Sequence, residues 1–131
     1  MLNLDYKCIE YAQNIINSID KSDNKKVKEL ENNLRKALGV LQEDGVYAMF
    51  LWLKDKDKNI RPQMLKLLNE NDIRKFLLQD SSNFPDDFKQ FCETLRNVVQ
   101  DIDKLFFLKK ILERTLTYAL YHAKVGGQNV E

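Results

Sequence analysis

One stretch limits the folds open to this chain more than any other: Gly45–Leu53, read GVYAMFLWL. It is the longest unbroken apolar run, and it holds the single tryptophan, Trp52. A helix that is apolar nearly all round is buried on most sides. The spacing therefore predicts a central helix, Val46 to about Lys56, with amphipathic helices laid around it. Val46, Met49, Phe50 and Leu53 form its inner face, broadened by Tyr47, Leu51 and Trp52. Aromatics spaced this way read as core rather than as a base-stacking platform.

The flanking segments repeat the helical period. Over 3–20, Ile9, Ala12, Ile15, Ile16 and Ile19 share a face with Leu4 and Cys8; Asn3 is placed to cap this helix, and 20–24 is turn chemistry that ends it. Over 24–42, Val27, Leu30, Leu34, Leu38 and Leu41 form a stripe opposite a charged face. Gly39 interrupts that stripe. It either admits a close neighbouring helix, the favoured reading, or marks an early end. Asp44 is placed to cap the central helix. After the charged run 54–61, which reads as helix end plus solvated loop, Pro62 suits a helix's first turn. Met64, Leu65, Leu67 and Leu68 face inward there. Asp72 is placed to cap a short helix, Ile73–Gln79, with Ile73, Phe76 and Leu77 inward. Residues 80–85 read as a loop, and Pro85-Asp86-Asp87 as a helix start. The apolar period then runs to about residue 124, through Phe88, Val99, Ile102 and Phe106 among others. One helix of that length would be about 60 Å long, so a break is expected near Gln100–Lys104. Gly126-Gly127 closes the last helix.

The expected fold is all-α: a compact single-domain bundle of six or seven helices over 1–125, with a flexible C-terminal tail at 126–131. The chain's 131 residues suit one domain with its own core.

Little in the chain points to catalysis. The two cysteines, Cys8 and Cys92, fall among apolar helix positions and read as small buried hydrophobes in a reducing compartment. Spacing supports neither a disulfide nor a zinc site. His122, near the end of the last helix, suits the helix dipole. Asp55–Asp57 and Asp86–Asp87 read as solvated loop and helix-start charge. No catalytic residue, metal ligand or cofactor is expected. The opening residues are charged and amphipathic rather than signal-like, and no apolar run approaches ~20 residues, so a soluble, cytoplasmic protein without membrane contact is expected.

Charge leaves one opening. The formal net charge is +1, too balanced for an autonomous duplex-DNA binder, yet one basic face remains open. Candidates are Arg35 and Lys36 before the apolar segment, Lys54 after it, and Lys109, Lys110 and Arg114 on the last helix. Brought together, they would contact phosphates without reading bases.

The run LRKALGVLQEDGVYAMFLWLKDK resembles the core segment of the small all-helical subunit of type III-B CRISPR effector complexes, the Cmr small subunit family. That family carries a basic, leucine-containing helix end, a few polar residues, a glycine, and an apolar helix closing in lysine. Gly45, Met49, Phe50, Leu51, Leu53 and Lys54 fall in this pattern. LERTLTYALYHAKV looks like the family's closing helix. The chain departs from the family in having no proline near Leu38, and in Gln42, Glu43 and Asp44, where basic residues are common. The related small subunit of type III-A complexes is a near competitor for the same pattern. The resemblance implies a non-catalytic subunit that stacks with further copies of itself beside the backbone and large subunits, where it helps form the basic channel for target RNA. Arg35, Lys36, Lys54, Lys109, Lys110 and Arg114 are the expected phosphate contacts. The alternatives are a helical protein–protein adaptor or regulator without nucleic acid, and a ligand-binding bundle with Tyr47, Trp52 and His122 around one pocket.

Overall fold

The computed structural model describes residues 4–79 and 82–127. Among these the chain forms seven α-helices and no strand: α1 Leu4–Asn17, α2 Asn24–Asp44, α3 Val46–Lys56, α4 Ile60–Leu68, α5 Asn71–Leu78, α6 Phe88–Val98 and α7 Ile102–Gly127. The expected cap Asn3 and the last residues of the expected tail, 128–131, lie outside the described residues, while Gly126 and Gly127 are the last residues of α7.

Local chemistry sets most boundaries, and several differ from the sequence expectation. α1 stops at Asn17, three residues early. Asp20 then accepts from the backbone N–H and the hydroxyl of Ser22, which turns the chain, and Asp23 caps α2 by accepting from Lys25 N and Lys26 N. α2 continues through Asp44, so Asp44 is not a cap. Gly45 makes the junction instead, at φ 102° and ψ −178°, where its N–H donates to Val40 O and Leu41 O. Gly39 ends nothing, and no neighbour lies within 4 Å of where its Cβ would stand, so no close helix approach explains it. Glu70, not Asp72, is the residue at the start of α5; Asp72 lies in the first turn. Helix α6 begins after Asp87, whose carboxylate accepts from Gln90 N, which leaves Pro85 in the preceding loop. The last apolar stretch breaks where expected. Asp101 accepts from Asp103 N and Lys104 N and starts α7 afresh.

Two helices organise the bundle, α3 as expected and α7 beside it. Both α1 and α2 lie along α7. Cys8 Sγ reaches Ile111 O at 3.5 Å, while Ile16 and Ile19 share a recess with His122 and Ala123, so α1 runs parallel to α7. Gln42 Nε2 donates to Glu113 at 2.8 Å, and Val27 and Leu30 line the recess at Ala123, so α2 runs antiparallel. α3 folds back along α2 and also meets α4, α6 and α7. Its Val46, Met49, Phe50 and Leu53 are buried as expected, but Leu51 is 48% exposed and Trp52 only partly buried. Removing the inner faces of seven helices from water supplies the main driving force, roughly 25 cal/mol per Å² of apolar surface. Phe76, expected to face inward, is 42% exposed, and Ile102 and Phe106, which sustain the last apolar period, are 62% and 61% exposed.

Asp57 is the largest surprise in the loops. Expected to be solvated, it is buried. Its Oδ1 accepts from Asn59 N at 2.7 Å and Ile60 N at 2.5 Å, and its Oδ2 accepts from Asn33 Nδ2 at 2.9 Å. It therefore caps α4 and ties that helix to α2.

Candidate nucleic-acid interface

The six candidate cations stand in three places. Arg35 and Lys36 are both exposed on α2. Adjacent helical residues point about 100° apart, so they do not share a direction. Arg35 folds back on its own helix, with Nη2 at 2.8 Å from Glu31 Oε2 and Nη1 at 3.4 Å from Asn32 Oδ1. Lys36 has no ion pair among the described residues.

Lys109, Lys110 and Arg114 lie on α7. Lys110 and Arg114 border a groove between α1 and α7 whose floor includes Leu4, Cys8 and Ile111. Arg114 is neutralised there, with Nη1 at 2.9 Å from Asp5 Oδ1. The same carboxylate oxygen accepts from Tyr118 OH at 2.7 Å, and that bond holds the Tyr118 phenol above its ordinary pKa. Lys109 is half-buried and Lys110 exposed, and neither has an ion pair among the described residues. Because α2 and α7 are antiparallel, Arg35 stands two to three turns beyond Lys110, roughly 10–15 Å at 1.5 Å per residue.

Lys54, at the end of α3, points towards α6. Its Nζ lies 5.6 Å from the Phe88 ring centroid. Sequence reasoning missed what shares that ring: the Arg61 guanidinium lies 5.0 Å from the Phe88 centroid and 6.0 Å from that of Phe91. Phe88 has the periodicity of a core position but is only half-buried. Neither Lys54 nor Arg61 has an ion pair among the described residues.

The perturbed ionisable groups elsewhere sit in structural contacts. Tyr11 donates to Glu70, which also pairs with Lys7 at 3.2 Å. Burial, and then that bond, push the Tyr11 phenol up, while the Tyr11 hydroxyl and then Lys7 hold Glu70 below the ordinary carboxylate range. Burial raises the Cys8 thiol, and both cysteines are free. His122 sits with Ile16, Ile19 and Leu30, whereas Tyr47 lies near Cys92 on α6, so His122 and Tyr47 do not share that recess. Among the described residues no three His, Cys, Asp or Glu side chains converge as a metal site would require, and no helix is long and apolar enough to cross a membrane. Compared with protein-family models, with curated proteins and with solved structures, the chain matches none.

Proposed function

We propose that the chain is a non-catalytic, cytoplasmic small subunit of a type III, Cmr-type CRISPR effector complex. In this reading it stacks with further copies beside the backbone and large subunits, and its helices lend phosphate contacts to the channel that holds target RNA. The observation that carries the reading is a set of lysines without a carboxylate partner among the described residues: Lys36, Lys54, Lys109 and Lys110. Lys36 and Lys54 lie within the first segment that resembles the Cmr small subunit, and Lys109 and Lys110 stand on α7 just before the second. Arg35 and Arg114 become secondary contacts, because each must first leave a carboxylate. Near-neutral total charge fits a subunit that meets RNA alongside others, since guide pairing supplies the sequence reading and the protein needs only backbone contacts.

The test has two parts. Co-expressed with tagged backbone subunits and guide RNA, the chain co-purifies with them; a chain that never associates sinks the proposal. In the assembled complex, Lys109→Glu with Lys110→Glu leaves the helical content unchanged and weakens target-RNA capture. Unchanged capture removes those two from the interface. The adaptor alternative is favoured by Ile102 and Phe106, exposed one turn apart on α7. Stable assembly with a protein partner that lacks RNA would select it.

A further inference from the structure

We infer that Lys54 and Arg61, gathered over the Phe88 ring, form a two-cation site for backbone phosphate of single-stranded RNA, with Phe88 as its positioning residue. The inference deepens the proposed function and rests on its reading of Lys54 as an RNA-facing cation.

Three observations carry it. The first is convergence. The two charges come from different helices, α3 and α4, yet both lie within 6 Å of one ring centroid supplied by a third, at 5.6 and 5.0 Å. An aromatic face attracts cations, and it holds guanidinium well because both are planar. The second is the missing counter-charge. Lys54 and Arg61, like most of the basic residues, have no ion pair among the described residues. The ring attracts each cation without cancelling its charge, so an incoming anion displaces no carboxylate. The third is unspent donor capacity. Guanidinium carries five N–H donors. For Arg61 the structure gives one hydrogen bond, a long one from Nη2 to Asp86 O at 3.4 Å, which leaves Nη donors for a ligand.

These features favour phosphate over a base. The ring is occupied by cations and is no free stacking surface. A planar fork and a mobile ammonium each suit tetrahedral oxyanions. Arranging the cations in advance also reduces the ordering cost of binding. The alpha-helical frame adds to this, because Arg61 and Lys54 each sit at a helix end that α6 braces through Phe88 and Phe91.

The test is a titration of the full 15N-labelled chain with pyrophosphate and, separately, with a twelve-nucleotide oligouridine, following the Arg61 Nε–H and the Lys54 amide. Both probes are expected to shift these two signals first. Lys54→Gln should lower the salt slope of oligouridine binding by about 0.7, one single-strand phosphate contact. Phe88→Leu keeps both charges but should abolish the Arg61 shift, and Phe88→Trp should restore it; an effect through stability alone would not be rescued in this way. Arg61→Lys, which retains charge without the planar fork, should weaken pyrophosphate binding while the fold persists. Oligouridine shifts confined to Lys109 and Lys110, or spread evenly over exposed lysines, overturn the inference and leave the proposed function standing. Pyrophosphate binding at Arg61 without any RNA binding keeps the phosphate site and removes the RNA-channel reading. No shift with either probe removes both.

Discussion

Gly45→Ala should be costly for a reason that owes nothing to packing. Gly45 sits at φ 102° and ψ −178°, a region that is essentially glycine-only and costs another residue about 1–3 kcal/mol. A Cβ built there meets nothing within 4 Å, so the whole penalty is backbone strain. The turn cannot relax cheaply. Gly45 N–H donates to Val40 O and Leu41 O at 3.1 Å, and Gly45 O accepts from Met49 N at 3.1 Å, so the same residue closes α2 and opens α3. For a domain of this size, with about 4 °C of Tm per kcal/mol, the loss is roughly 4–12 °C. Gly39→Ala is the matched control. Its Cβ also meets open space, but it lies in the interior of α2, where alanine gains about 0.8–1 kcal/mol over glycine. Its Tm should rise by roughly 3–4 °C. Thermal and urea unfolding followed by circular dichroism measure both, with an unchanged urea m-value showing that stability alone moved. Shifts of the same sign in the two variants would refute the assignment of Gly45 as the conformational hinge of the α2–α3 hairpin.

Three further outcomes are expected. Asp57→Ala removes the α4 cap and leaves Asn33 Nδ2 without its acceptor, so urea unfolding should show a loss of about 2–3 kcal/mol; a loss under about 0.5 kcal/mol would place Asp57 in solvent after all. Phe50→Ala, at a fully buried ring, should cost about 3–5 kcal/mol, and the partly buried Trp52→Ala about 1–3; the reverse order would mean α3 is turned about its axis. Glu70 is held low chiefly by the Tyr11 hydroxyl. A depressed carboxylate contributes stability that is fully present above its unfolded value, about 4.3, and is lost as pH falls through the lower folded value. Tyr11→Phe should therefore flatten the fall in stability between about pH 5 and pH 3, and parallel curves for the two proteins would count against the contact.

Six or seven helices could be read from the sequence because amphipathic spacing is a local property: a stripe such as Leu30, Leu34 and Leu41 reports its own buried face whatever covers it. Caps were harder. Which of Asp44, Asp72 or Asp87 caps a helix depends on where the first free N–H falls, and a shift of one or two residues turns a cap into a first-turn charge. The candidate interface was least readable, because what separates a free cation from a spent one is an acid far away in sequence. Arg114 is answered by Asp5, 109 positions earlier, while Lys110, one turn away, has no ion pair among the described residues. The same distance problem hid the site at Phe88. Its cations lie in a charged run that reads as solvated loop, and its ring has the period of a core residue. The second organising helix was missed for a related reason. Apolar content ranks α3 first, but centrality depends on how many long neighbours a helix can serve, and α7 serves both α1 and α2. α7 also leaves Ile102, Phe106 and Tyr121 exposed along the turns that carry Lys109, Lys110 and Lys124. That mixture is why its periodicity looked continuous with a core helix, and it is also what a long scaffold helix needs if one flank holds the bundle together while the other meets a partner.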